Sequence, residues 1–512
     1  MTDPFVHKIY FNYFCVEILT FEHNMIITTG NILLVGSLLL IASIVLSKAG
    51  ARFGVPTLLV FLIAGMLFGT DGLGLQFDSA SEAQFVGVIA LSIILFSGGL
   101  DTRFSEIKPI LTPGIILSTL GVVLTTLFAG IFIYWITDFD AVKITLPLTT
   151  SLLLAATMSS TDSASVFNIL RSQRMALKHN LRPMLELESG SNDPMAYMLT
   201  LVLIQIVGAG GVTATDVISM LFVQFIVGGA VGFLLGKGAV WFINKLRLPN
   251  ASLYPIIALG LIFLVYSLAD VCHGNGFLAV YIAGIVMGNS RISYKREVST
   301  FLDGVTWLFQ IVLFLILGLL VNPHEMISIA LIGGLIGIFM IFVARPLSVM
   351  LCLLPFKHIN FKSRLFVSWV GLRGAAPILF ATYPIIANVE GANIIFNIVF
   401  FVTILSLVVQ GTTLSLIANK LGVSEPEPEK PDHFGIELPE ELETSLNGLD
   451  VTAEMLVDGP TLKDIKLPQG ALVMLIRRGH EFIVPNGSVQ LRAGDRLLML
   501  SQEIKPREKL KI

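Results

Sequence analysis

Thirteen apolar runs separated by short polar connections leave this chain few folds other than a bundle of membrane helices. They fall at about residues 26–47, 55–69, 84–100, 110–136, 144–169, 183–207, 216–243, 253–270, 275–290, 299–321, 326–354, 363–387 and 392–417. A helix needs roughly 20 apolar residues to cross the ~30 Å hydrocarbon layer of a bilayer, and the second and ninth runs are short for that purpose. With 54% hydrophobic and 13% charged residues and a mean hydropathy of +0.82, the chain carries more apolar surface than a soluble core can bury. The expected fold is an all-α polytopic membrane protein of about 13 transmembrane helices over residues 26–421.

The connections test this segmentation. Odd-numbered loops hold Lys48 and Arg52; Arg103 and Lys108; Arg171, Arg174, Lys178 and Arg182; Lys245 and Arg247; Arg291, Lys295 and Arg296; and Lys357, Lys362 and Arg364. Even-numbered loops hold Lys143 alone, alongside Asp71, Asp78, Glu82, Asp138, Asp140, Asp216, Asp270, Glu325 and Glu390. Basic residues are retained on the cytoplasmic side, and a wrong segmentation would scramble the alternation. The N-terminus is therefore expected outside and the C-terminus inside, with the protein in the cytoplasmic (inner) membrane.

Two segments carry polar groups where a passive span would have none. The fifth holds Ser159-Ser160-Thr161-Asp162 well inside its apolar run, and the sixth carries Glu186, Glu188, Asn192 and Asp193. A charge at bilayer depth costs about 3 kcal/mol even on lenient insertion scales, so such groups face a polar interior and mark an ion or proton path. Thirteen segments also divide into two six-segment halves of opposite orientation joined by a seventh, which pairs the fifth with the twelfth. The twelfth is interrupted too: Gly371, Arg373, Gly374 and Pro377 stand where a continuous helix would prefer none of them. Two broken helices in corresponding places predict a midplane site whose freed carbonyls hold a cation, while Asp162 and Arg373 offset the facing half-helix dipoles.

These motifs, in this order, carry a resemblance. Thr161-Asp162 on segment five, Glu188-Ser189-x-x-Asn192-Asp193 on six, Ala344-Arg345 on eleven and Gly371-Leu372-Arg373-Gly374 on twelve resemble the NhaP-type sodium or potassium/proton antiporters of the cation:proton antiporter superfamily. The resemblance spans about residues 26–420. It implies NhaA-like inverted repeats, a homodimer, and exchange of K+ or Na+ for H+. It also implies that Asp193 binds a cation or a proton in turn, with Ser189, Thr161, Asp162 and Asn192 around it. Glu188 and Arg345 would form a buried structural ion pair, and Asp162 and Arg373 the helix-end partners. Where relatives often have an acid before Gly-Gly-Leu on segment three, this chain has Ser97, which makes Ser97 a candidate contributor through a bound water. Many relatives that exchange unequal numbers of ions carry two adjacent aspartates on segment six. Asn192 before Asp193 leaves one titratable group at the centre, so exchange is expected to be electroneutral.

Each residue also has a plainer reading. Asp193 could be a hydrogen-bonded packing carboxylate, although an intramembrane acid is functional by default. Asp162 is open between a helix cap and a ligand. Glu188 and Arg345 neutralise each other and serve as scaffold, because a pair is better tolerated in low dielectric than a lone charge. Glu186 reads as solvated or as part of a funnel, Lys237 as a snorkelling lysine, and His273 beside Asp270 as a loop residue.

Residues 1–25 read as an N-terminal tail and not a signal peptide, because no basic stretch precedes an uninterrupted apolar core; Met25, just before the first segment, is an alternative start. Cys15, Cys272 and Cys352 lie too far apart for a metal or disulfide pattern. After Leu421, residues 422–433 form an acidic, proline-interleaved linker. Residues 434–512 are soluble in composition, with VTAEMLV, ALVMLIRR, EFIVP and RLLMLS expected as strands and TLKDI as a helical turn, in a small α+β cytoplasmic domain. This module resembles the TrkA-C (RCK-C) domain that accompanies potassium-transport proteins, which implies regulation by a small-molecule ligand or by dimerisation.

The function expected is secondary active exchange of K+ (or Na+) for H+, with no cofactor, no nucleic-acid partner and no enzymatic reaction. A sodium-selective antiporter is the nearest alternative and a ligand-gated cation channel a remoter one. A potassium channel would need a filter such as Thr-Val-Gly-Tyr-Gly, and an intramembrane hydrolase would need a histidine near Ser189; the chain has neither. No phosphate-cradling loop occurs for ATP.

Overall fold

Helices occupy each of the thirteen apolar runs in the computed structural model, which describes residues 29–52, 56–72, 74, 75, 77, 79–138, 145–209, 213–426, 446–457, 459–465, 467, 471–479 and 481–500. The tail 1–25, residues 26–28 of the first run, Asp78, Asp140, Lys143 and linker residues 427–433 lie outside the described residues. In the first half the helices are α1 (Thr29–Arg52), α2 (Thr57–Phe68), α3 (Ala80–Asp101), α4 (Phe104–Thr137), α5 (Leu148–Thr157), α6 (Ser163–Ser172) and α7 (Leu181–Ala209). Then come α8 (Ala214–Lys245), α9 (Leu253–Val271), α10 (Gly276–Gly288), α11 (Lys295–Leu319), α12 (Pro323–Leu353), α13 (Phe361–Trp369), α14 (Ala375–Ile386) and α15 (Ala392–Leu421). The fifth run is split into α5 and α6 and the twelfth into α13 and α14. Among the described residues, seven helices (α3, α4, α8, α9, α11, α12 and α15) are long and apolar enough to cross a membrane by length and composition.

Caps explain where several helices begin. Ser79 accepts from Glu82 N at 3.2 Å at the start of α3, Thr213 and Asp216 form a reciprocal capping box on α8, and Asn360 accepts from Ser363 N at 2.7 Å on α13. Gly422, at φ +70°, ends α15.

Two helix contacts match the expected inverted repeat. A Cβ at Gly65 of α2 would lie 2.9 Å from Gly318 Cα of α11, and one at Gly99 of α3 would lie 3.2 Å from Gly284 Cα of α10. The two-fold that exchanges the halves converts the first contact, between segments two and ten, into the second, between nine and three. Small residues let the backbones approach this closely without lipid-facing polar groups. Segments four and eleven, also related by that two-fold, each contain a single π turn, at Leu117–Gly121 and Met340–Ala344. A third π turn, Leu407–Gly411, interrupts α15.

The chain divides into two units between Glu427 and Pro428. In the first, a two-stranded antiparallel ribbon joins β1 (Met175–Leu177), between α6 and α7, to β2 (Ser424–Pro426), just beyond α15. Lys178 N also donates to Val423 O at 2.9 Å. The first residues of the stretch read as a linker are thus tied to the loop between segments five and six.

The second unit contains an antiparallel sheet of β3 (Leu446–Asp450), β4 (Leu472–Arg478), β5 (Glu481–Ile483) and β6 (Arg496–Leu500), in the order β3-β6-β4-β5. Gly479, at φ +60°, turns β4 into β5. Val451, Ile465, Ile476, Leu491, Leu497 and Met499 form its core. Two local expectations fail here. Residues 451–457, read as a strand, follow β3 and contain a 3-10 turn at Ala453–Leu456. Thr461–Ile465, read as a helical turn, is not helical: the Asp464 carboxylate accepts from Thr461 N at 3.2 Å and from the Thr461 hydroxyl, and Thr461 bridges to Gln490. The backbone here pairs across the chain instead of along a helix, with Leu462 N donating to Val489 O at 2.9 Å and Lys463 N to Gly487 O at 3.2 Å.

Candidate functional site

Polar side chains stop α5 before it can continue into α6. Thr157 Oγ1 donates to Leu154 O at 2.8 Å and Ser159 Oγ to Ala156 O at 2.7 Å, and from there the backbone is non-helical to Asp162. Asp162 then caps α6, accepting from Ser165 N at 3.1 Å and from the Ser165 hydroxyl. On the related segment, α13 ends at Trp369 and residues 370–374 run non-helically into α14.

The two breaks cross and hold each other. Asp162 N donates to Leu372 O at 2.8 Å, and Arg373 Nη1 donates to Ser160 O at 2.6 Å. A Cβ at Gly374 would lie 2.8 Å from both Cβ and Cγ of Asp162, so the strands can cross only at a glycine. The acid stands at the positive end of α6, and the guanidinium neutralises a carbonyl freed by the end of α5. Segment thirteen braces the crossing: Arg373 N donates to Ser406 Oγ at 3.0 Å, Ser406 Oγ to Gln410 Oε1 at 2.6 Å, and Gln410 Nε2 to Trp369 O at 2.7 Å. Gln410 lies within the π turn of α15, one of the local widenings that recur at functional sites.

α7 presents two side-chain rows to its surroundings, each spaced by four residues. Ser189 and Asp193 form one row. Ser189 Oγ donates to Thr161 O at 2.8 Å and accepts from Ser163 N at 3.1 Å. Glu188 and Asn192 form the other. Asn192 Nδ2 donates to Thr161 Oγ1 at 2.6 Å, and Glu188 Oε1 lies 2.6 Å from Arg345 Nη1. Arg345 directly follows the π turn of α12, and both members of the pair are buried, at 3% and 1% exposure. Asp193 is 8% exposed, and its Oδ1 has no donor among the described residues; Asn192 Oδ1 has none either. Ser160 lies beside Asp193. Buried oxygens are normally partnered, so one carboxylate oxygen of Asp193 and the neighbouring amide oxygen of Asn192 suit a water, a cation or a proton-bearing group.

The structure therefore brings Thr161, Asp162, Ser189, Asn192 and Arg373 to one crossing, with Asp193 beside it and Glu188 paired to Arg345. Ser97 is buried on α3, and no hydrogen bond joins it to the crossing among the described residues. Glu186 is not simply solvated: it accepts from Arg182 Nε at 2.9 Å. Lys237 lies 6.0 Å over the Phe233 ring, and His273 is an exposed residue at φ 59°. Sequence reading noted Ser160 only as part of a polar run and missed Ser406 and Gln410. The signal for the last two was a Ser and a Gln inside the thirteenth apolar run, which also holds Asn393, Asn397 and Thr403.

Comparison with known proteins places this arrangement among relatives. The transmembrane sodium/hydrogen exchanger family matches residues 37–420, and the TrkA-C domain matches residues 449–503. The K(+)/H(+) antiporter NhaP2 of Shewanella sp. (strain MR-4) is 38% identical over 466 residues, covering 90% of this chain and 79% of that protein. The K(+)/H(+) antiporter NhaP of Alkalimonas amylolytica is 39% identical, over 91% and 80%. The Na(+)/H(+) antiporter NhaH of Halobacillus aidingensis is 28% identical, over 72% and 93%. Among solved structures, the sodium proton antiporter MjNhaP1 from Methanocaldococcus jannaschii at pH 8 superposes with a TM-score of 0.65 at 23% identity, over 75% of this chain and 97% of that one.

Proposed function

The chain belongs to the transmembrane sodium/hydrogen exchanger family, and from that membership we propose that it exchanges K+ for H+ at Asp193, one for one. The burial of the Asp193 carboxylate beside the crossing, with Ser160 as its neighbour, carries this reading. A carboxylate that deep needs either a proton or a cation, and the oxygens nearby (Thr161, Ser189, Asn192) suit a hard monovalent ion. Exchange is then competition. Asp193 is protonated or cation-bound whenever the site changes sides, because crossing with a bare carboxylate is penalised by low dielectric.

K+ is favoured over Na+ because the relatives at 38–39% identity are K(+)/H(+) antiporters, against 28% for the Na(+)/H(+) antiporter. Glu188 with Arg345 holds α7 to α12, and Asp162 with Arg373 holds the crossing; neither pair is given a transport role. Residues 26–421 form the exchanger, in about 13 crossings of the inner membrane with the N-terminus outside. Residues 434–512 form a cytoplasmic regulatory module that takes a small-molecule ligand, and the protein works as a homodimer.

Purified protein in proteoliposomes tests the reading. Proton flux should respond to K+ without ATP, more strongly than to Na+. Transfer of one unbalanced charge would couple flux to voltage at about 2.3 kcal/mol per 100 mV, so a clamped potential should leave balanced exchange nearly unchanged. Proton flux indifferent to every monovalent cation would sink the proposal.

A further inference from the structure

One turn beyond Asp193, α7 meets a small apolar cluster separate from the larger cores. Tyr197 comes from α7, which carries Asp193, and Phe380 and Tyr383 from α14, one half of the broken twelfth segment, while Tyr266 of α9 and Phe277 of α10 come from the opposing helices. The rings interlock across this seam. Tyr197 stands edge-on to Phe277, with centroids 5.0 Å apart, and to Tyr383 at 5.3 Å; Tyr266 stands edge-on to Phe277 at 5.1 Å. Tyr197, Phe277 and Phe380 are buried, and Tyr266 lies one helical turn before Asp270 at the end of α9.

A polar tie accompanies the rings. Asn275 is fully buried, and its orientation is fixed: Oδ1 accepts from Leu278 N at 2.9 Å, capping α10, so the amide nitrogen is the end that faces α7. Asn275 Nδ2 donates to Pro194 O at 2.8 Å, the carbonyl of the residue after Asp193. Asn275 N in turn donates to Gln224 O of α8 at 3.0 Å. The backbone that carries Asp193 is thus hydrogen-bonded to the opposing helices through one side chain.

We propose that Tyr197, Tyr266, Phe277, Phe380 and Tyr383 are the outer gate of the Asp193 site, and that Asn275 is the positioning residue that latches it. The inference rests on the exchange reading above and on the orientation that puts Asp270 outside. For Asp193 to face outward, α7 and α14 must part from α9 and α10, and these are the contacts that must break. Edge-to-face ring contacts and hydrogen bonds between neutral groups suit a seam that opens repeatedly, because none of these contacts is an ion pair.

Two experiments decide it, in protein whose Cys15, Cys272 and Cys352 are replaced by serine. In the first, Tyr197→Cys with Phe277→Cys is cross-linked by copper phenanthroline and assayed in proteoliposomes. Exchange should fall by more than about tenfold on cross-linking and return on reduction, because gating motions limit turnover. Unchanged exchange in fully cross-linked protein overturns the gate, whereas absence of exchange in the cysteine-free parent overturns the transport reading instead. The second needs no turnover. Asn275→Asp keeps a helix-capping oxygen but loses the donor to Pro194 O, so an impermeant thiol reagent added outside should label Ala196→Cys about tenfold faster, as expected for a population shift of that size. An unchanged labelling rate would reduce Asn275 to a helix cap and overturn the latch.

Discussion

At the scale of single residues, burial separates chemistry from scaffold. Asp193 and Glu188 sit five residues apart on α7, with Glu188 paired to Arg345 of α12, yet removing the acid and breaking the pair have different consequences. Asp193→Asn keeps the volume and removes the titratable group, so exchange should vanish while the protein remains folded; cation-driven proton flux by a well-folded variant would refute the assignment. Arg345→Ala strands Glu188 without its 2.6 Å partner, and breaking a buried pair typically costs about 3–5 kcal/mol. Its melting temperature in detergent should therefore fall well below that of Asp193→Asn. In the second unit, Arg478 grips Asp495 through Nε at 2.9 Å and Nη2 at 2.7 Å, and Arg492 N adds a third bond at 2.8 Å. The hydrogen bonds from Arg478 hold the Asp495 carboxyl below the usual carboxylate range. A depressed acid contributes stability in full above its unfolded value of ~3.9 and loses it as pH falls through the folded value. Arg478→Ala should destabilise this unit by about 1–3 kcal/mol at neutral pH by leaving a buried acceptor short of donors. The deficit should shrink as pH drops below ~4, and hydrogen exchange of β3 to β6 at pH 7 and pH 3.5 measures it.

At the scale of elements, the crossing depends on one missing side chain more than on any one contact present. A methyl at Gly374 would press on Asp162 Cβ and Cγ at 2.8 Å, pushing the α6 cap away from the opposing strand. Gly374→Ala should abolish exchange and lower the melting temperature. Gly98 on α3 is the control: nothing lies within 4 Å of its added Cβ, so Gly98→Ala should leave exchange intact and stabilise the helix by about 0.5–1 kcal/mol. Equal effects of the two substitutions, read by transport and thermal melting, would remove the steric argument. The breaks themselves were legible, because glycine, proline and charge inside an apolar run each work against a continuous helix in lipid. The π turns were not, since Leu117–Gly121 and Met340–Ala344 have nothing in their composition that an ordinary turn of helix lacks.

At the scale of the whole molecule, the ribbon of β1 and β2 separates two truncations that look alike in sequence. A chain ending at Glu427 keeps β2, and if the second unit is regulatory it should still exchange ions, with an altered pH profile or apparent cation affinity. A chain ending at Leu421 also loses the pairing of Ser424–Pro426 with Met175–Leu177 and the Val423 carbonyl that Lys178 N uses. It should be less stable, with β1 losing its amide protection; indistinguishable melting and exchange protection in the two chains would show the ribbon to be dispensable.

Hydropathy period, loop charge and the pairing of interrupted segments determine the class, divide the chain into its helices and mark the intramembrane acids of segments five and six, because lipid admits few ways of satisfying backbone and charge; the choice of Asp193 among those acids came from the family resemblance. The Asn275 tie to Pro194, the brace of Ser406 and Gln410, and the β1 to β2 ribbon were decided by tertiary structure. Each joins residues more than thirty positions apart through a single side chain or a three-residue pairing. A hydrogen bond of that kind leaves no periodicity behind, and a lone Asn, Ser or Gln in an apolar run signals that a partner exists without saying which one.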